Sequence, residues 1–115
     1  MPKNKNISVS FRVWFFAGNE KFLGKGRVEL LQKIEKFGSI SSAAKDMKMS
    51  YRQAWQMVSE INERSELPLV EKKLGGKSGG GATLTDAGKK AIRTFKEFEK
   101  KVADFIQEES KKIKI

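Results

Sequence analysis

The chain has 115 residues, the size of one domain with one core, and its 24 Lys and Arg against 14 Asp and Glu give a formal charge of +10, which favours a polyanionic partner. Cysteine and histidine are both absent, excluding a disulfide framework, zinc centres built on those ligands, cysteine nucleophiles and any triad with an imidazole base. No apolar run approaches the roughly 18 residues of a membrane span and no signal-peptide core opens the chain, so a cytoplasmic protein without membrane contact is expected.

Residues 1–6 (MPKNKN) read as a disordered basic start. Over 7–16, Val9, Phe11 and Val13 alternate with Ser8, Ser10 and Arg12, the period-two pattern of a half-buried strand. A turn signal at 17–20 lets Lys21-Phe22-Leu23 return as a short second strand. A first helix is predicted over 27–37, with Val28, Leu31 and Ile34 on one face and Gly38 where a left-handed terminator belongs. Ser41 is placed to cap a short helix reaching about Met47, which carries the small residues Ala43 and Ala44. After a break at Lys48-Met49, Ser50 starts a longer helix to about Arg64, and Ser50-x-x-Gln53 is a capping box. That helix buries Ala54, Val58 and Ile61. Two helices joined by such a short break describe a helix-turn-helix. Strand candidates at 69–73 and 82–84 flank the glycine-rich 75–81, the outline of a β wing, and Thr85 caps a last helix from Asp86 to about Ser110.

The second helix of the pair is the candidate reader. Its start offers Ser50, Tyr51, Arg52 and Gln53, with Gln56 one turn on. Arg and Gln suit bidentate contacts to guanine and adenine in a major groove. An ordinary surface helix would look the same in isolation. Trp55 either stacks on a sugar-phosphate or packs beneath the first helix, and packing is the expectation because tryptophan is usually mostly buried. The glycine loop is no phosphate-binding P-loop, since Glu71 stands where its first glycine belongs. As a wing it brings Lys72, Lys73, Lys77 and Ser78 to phosphates or a minor groove. In the last helix Phe95, Phe98, Val102 and Phe105 form a stripe expected to hold a homodimer while also touching its own core.

These segments carry a resemblance. GSISSAAKDMKMSYRQAW resembles the helix-turn-helix of ModE-type molybdate-responsive regulators, whose DNA-binding domain is related to that of LysR-type regulators, and PLVEKKLGGKSGGGATLTDAG resembles their wing and following helix. The similarity covers roughly 7–105. It implies that Ser50, Tyr51 and Arg52 begin a recognition helix and that 75–81 form the wing. The pattern usually has glycine where Lys48 stands, so Lys48 is expected in a mildly strained left-handed conformation. Nothing in the chain resembles the family's molybdate-binding domains, so DNA binding is implied and molybdate binding by this chain alone is not.

The expected fold is α+β and mainly helical: a winged helix-turn-helix over 7–85, with 86–115 as a dimerisation helix and basic tail of the same domain. The expected function is sequence-specific DNA binding in transcription regulation, as a dimer on an approximately palindromic operator, with double-stranded DNA as partner and no cofactor, metal or catalysis. The alternatives are a chromatin-like protein that binds nucleic acid by charge alone, and a protein-interaction module on the same fold.

Overall fold

A computed structural model describes residues 7–73 and 81–115. The chain runs β1 (Phe15–Ala17), β2 (Glu20–Leu23), α1 (Lys25–Phe37), α2 (Ile40–Asp46), α3 (Tyr51–Arg64), β3 (Val70–Lys73), β4 (Gly81–Leu84) and α4 (Asp86–Ser110). Its strands form two separate antiparallel pairs, β1 with β2 and β3 with β4. This is the mainly helical α+β architecture expected.

Helices α2, α3 and α4 begin at side-chain caps that satisfy free backbone groups, whereas α1 starts at Gly24 without one. Gly38 closes α1 at φ 73°, donating its N–H to the Ile34 carbonyl at 2.8 Å. At α2 the cap is Ser39 and not Ser41: the Ser39 hydroxyl accepts the Ser42 N–H at 3.0 Å. Beginning the helix at Ile40 puts Ile40, Ala43 and Ala44 on one buried face, and burial of Ile40 decides the start. The Ser50 hydroxyl accepts the Gln53 N–H at 3.0 Å, while the Gln53 side-chain oxygen accepts the Ser50 N–H at 3.1 Å, completing the expected capping box. Thr85 caps α4 by accepting the Gly88 N–H at 3.0 Å. Gly88 is needed there, because a β-carbon would collide with the Leu69 carbonyl.

The core gathers around α1, whose Val28, Leu30, Leu31 and Ile34 are all buried. Ala43 and Ala44 of α2 pack on one side of it, with Ala54, Val58 and Ile61 of α3. Leu69, Val70, Ala82 and Leu84 close the core from the second hairpin, and Phe95 from α4. Ion pairs at the rim link α3 to α1 and β2. Arg27 of α1 reaches Glu60 at 2.5 Å, and Arg64 binds Glu20 at 2.8 Å and Glu60 at 3.6 Å. Lys33 and Asp46, 2.8 Å apart, tie α1 to α2. No helix among the described residues is long and apolar enough to cross a membrane.

The N-terminal strand is shorter than expected. Only Phe15–Ala17 pairs with β2, and residues 7–14 have no strand assignment. Alternation measures which side chains want burial, and a strand also needs a neighbour for its backbone; none of the described residues supplies one beyond Phe15. The basic start at 1–6 lies outside the described residues.

Candidate nucleic-acid interface

Between α2 and α3 the chain turns at Lys48, whose φ of 56° is the left-handed conformation expected of it. The turn is fixed by the Met47 N–H on the Ala43 carbonyl and the Met49 N–H on the Ala44 carbonyl, both at 3.0 Å. The short α2 and the longer α3 thus meet across a hydrogen-bonded turn, and the inner face of α3 is filled by Ala54, Val58 and Ile61. Everything roughly opposite that line is presented outward.

Tyr51, Arg52, Gln53, Trp55 and Gln56 are all exposed, as a reading surface requires. They are not equally free. Ser50 and Gln53 spend their side chains on the capping box, so Gln53 cannot offer its oxygen to adenine without giving up the cap. Arg52 makes no side-chain hydrogen bond or ion pair among the described residues, while the Gln56 amide donates to Glu60 at 3.4 Å, a long bond that costs little to break. Residues 51–59 contain no acidic side chain, which leaves the outward start of α3 free of repulsion toward a polyanion.

The foot of the strand beside α3 is held by the Asn62 side chain. Asn62 accepts the N–H groups of Leu69 and Val70 at 2.9 and 3.1 Å and donates to the Val70 carbonyl at 2.9 Å. From that anchor β3 runs back toward the N-terminus of α3, bringing the Lys72 ammonium 4.0 Å from the Trp55 ring centroid and 3.5 Å from the Ser59 hydroxyl. Lys73 is exposed on the same strand. Lys77 and Ser78, with most of the glycine-rich loop, lie outside the described residues.

Trp55 departs from expectation. It is 44% exposed and does not pack beneath α1, because its position is turned away from the Ala54–Val58–Ile61 line. Sequence reasoning misses both its pairing with Lys72 and the role of Asn62. Trp55 stands four residues after Tyr51, one helical turn along the same side, and that spacing is the available signal.

Glu60 on α3 and Asp46 at the end of α2 are held by cations, whereas Glu63 makes no ion pair among the described residues. The Arg27 guanidinium, then Gln56, Arg64 and their charges, keep the Glu60 carboxyl below the usual range against the opposing effect of burial. A hydrogen bond from Lys33 likewise lowers Asp46, and the same pair raises Lys33. These ion pairs brace the scaffold and leave the outward face of α3 alone.

Of the stripe on α4, Phe95 is 1% exposed and packs against Phe15 at a centroid distance of 5.0 Å, the rings tilted by 58°. It belongs to the chain's own core, where α4 docks through Gly88 and Phe95, with Ala87, Ala91 and Ile92 packed beside them. Phe98 and Phe105 remain 50% and 66% exposed, and Val102 is half-buried.

Residues 26–89 match the bacterial regulatory helix-turn-helix proteins of the lysR family. The chain is 46% identical over 74 residues to the DNA-binding transcriptional dual regulator ModE of Escherichia coli, a segment covering 64% of this chain and 28% of that protein. It is 40% identical over 74 residues to the transcriptional regulator ModE of Haemophilus influenzae, covering 64% and 29%. It is also 40% identical over 93 residues to the molybdenum-pterin-binding protein MopB of Rhodobacter capsulatus, covering 81% and 34%. The match thus spans about a third or less of the length of these relatives.

Proposed function

Because the chain belongs to the lysR family of bacterial regulatory helix-turn-helix proteins, with a helix-turn-helix of the ModE type, we propose that it binds an approximately palindromic operator as a homodimer, through α3 in the major groove and the glycine-rich hairpin beside it. The observation that carries this reading is the outward start of α3: a capped helix anchored on the core, presenting Arg52 and Gln56 without a carboxylate and flanked by Lys72 and Lys73. Arg52 and Gln56 read base edges. Tyr51 lines the same surface, and Ser50 and Gln53 hold the helix start in shape. Lys72, Lys73, Lys77 and Ser78 serve the phosphates.

The dimer rests on α4, where Phe98, Val102 and Phe105 make an apolar strip that water does not favour. Charge supplies a direction for the pairing. Residues 86–96 hold four cations and one anion, whereas 97–110 hold five anions and two cations. Two such helices side by side attract when antiparallel and repel when parallel. Antiparallel pairing sends the two reading heads to opposite ends, as half-sites ~34 Å apart require. Residues 7–85 form the reading head and 86–115 the pairing arm of one domain.

Molybdate is not proposed as a ligand of these residues. The cavity beside the start of α1, about 530 Å³, carries Arg12 and Lys25 but also Glu29 and Glu99, a mixture unsuited to a dianion.

Selection of bound sequences from a random duplex pool tests the reading. Enrichment of an inverted repeat with half-sites one helical turn apart is expected. Binding with a steep salt dependence but no enriched sequence would replace it with charge-driven, sequence-blind binding.

A further inference from the structure

The outward side of α3 carries two large aromatic residues, Tyr51 at 55% exposure and Trp55 at 44%, one helical turn apart. Exposed aromatic pairs of this kind mark contact surfaces, since a tryptophan left in water gives up most of the gain from burial. Trp55 lies between the Arg52–Gln56 face of the helix and strand β3, and the Lys72 ammonium sits over its ring at 4.0 Å. Exposed cations are in excess nearby: Lys45 and Lys48 before the helix, Arg52 on it and Lys73 beside Lys72, against Asp46, which pairs with Lys33, and Glu71 on β3, with no acidic residue in 51–59. The occupant of this face is therefore an anionic partner with an apolar group at the depth of the base-reading side chains. In a DNA major groove one base-edge group is apolar, the C5 methyl of thymine.

We propose that Trp55, with Tyr51 beside it, is a specificity-determining residue that reads thymine methyl groups, while its ring steers Lys72 onto the phosphate flanking the same base. This deepens the proposed function and rests on it. The two roles separate chemically. The methyl contact depends on what the base carries at C5, and the Lys72 contact does not. Nothing in the arrangement asks Trp55 for a hydrogen bond, so uracil in place of thymine removes the partner and leaves the pairing edges of the base unchanged.

The test uses the full chain and the duplex enriched by random-pool selection, with each thymine replaced in turn by deoxyuridine. At one thymine or two adjacent ones per half-site, the wild type should lose about fourfold in affinity, the value of one buried methyl group. Trp55→Ala should bind both duplexes equally at those positions while still preferring the enriched sequence elsewhere, and Trp55→Phe should keep part of the discrimination. Lys72→Ala should weaken thymine and uracil duplexes by the same factor. Wild-type affinity indifferent to uracil at every thymine would overturn the inference and leave the proposed function standing, as would discrimination that survives intact in Trp55→Ala. Failure of the selection to enrich any sequence would overturn both.

Discussion

Asn62 is the side chain whose loss should be felt most widely for its size. Its amide satisfies the N–H groups of Leu69 and Val70 and the carbonyl of Val70, at 2.9, 3.1 and 2.9 Å, and both of those residues are buried. Asn62→Ala strands three backbone groups near the core. Each unsatisfied group costs about 1–3 kcal/mol if water stays out. Asn62 itself is half-buried, so water relieves part of that, and a total of roughly 2–4 kcal/mol is expected. For a domain of this size 1 kcal/mol is worth about 4 °C, so Tm should fall by roughly 8–16 °C. Urea unfolding followed by tryptophan fluorescence measures the free energy, and amide exchange at Leu69 and Val70 localises it. Asn62→Asp keeps the acceptor and loses the donor, and should cost about 1–2 kcal/mol. A change below about 0.5 kcal/mol for Asn62→Ala would refute the reasoning, because it would mean the foot of β3 does not depend on this amide.

Arg52→Ala should cost roughly 1–3 kcal/mol on the preferred duplex and relax its sequence choice, read by comparing specific and scrambled duplexes; equal losses on both would reduce Arg52 to a phosphate contact. Replacing Lys72, Lys73 and Lys77 together with Ala should weaken binding to all sequences and flatten the plot of log affinity against log salt by about 0.9 for each phosphate no longer neutralised; an unchanged slope removes the hairpin from the interface. Phe98→Glu with Phe105→Glu should give a monomer by sedimentation, folded but somewhat less stable because the Phe98 edge also meets the Phe15 ring at 5.7 Å; an intact dimer would place the interface elsewhere. Glu60 has a lowered pKa, so its ion pairs stabilise the fold above the unfolded value of 4.5 and fail as pH falls through the lower folded value. Stability measured from pH 6 down to about 3 should therefore drop less steeply in Glu60→Gln than in the wild type, and parallel curves would contradict the assignment.

What can be read from the sequence follows from how local each cause is. The starts of α3 and α4 are legible because a Ser or Thr and its partner three residues on are neighbours in the chain. The end of α1 is legible because Gly38 announces a left-handed residue. The cap of α2 is not, since Ser39 and Ser41 both make good caps and only the burial of Ile40 separates them. The segment at 7–14 misleads because alternation speaks of side chains and is silent about backbone partners. Within the proposed reading surface, exposure of Tyr51, Arg52, Gln53 and Gln56 follows from helical period alone. Trp55 does not, because the habit of its residue type points inward while its position on the helix points out. Asn62 and Lys72 act across elements, and no spacing rule within one helix could pair them with their targets.

The capping box has a consequence for retargeting the protein to a new operator. Ser50 and Gln53 are committed to the helix start, and Ala54, Val58 and Ile61 to the core. Randomising the whole of α3 would therefore yield mostly unstable proteins, whatever they recognised. A library confined to positions 51, 52, 55 and 56, where the side chains are exposed and are neither core nor cap, separates the alphabet of recognition from the grammar of folding. Variants drawn from it should differ in preferred sequence while melting at nearly the same temperature.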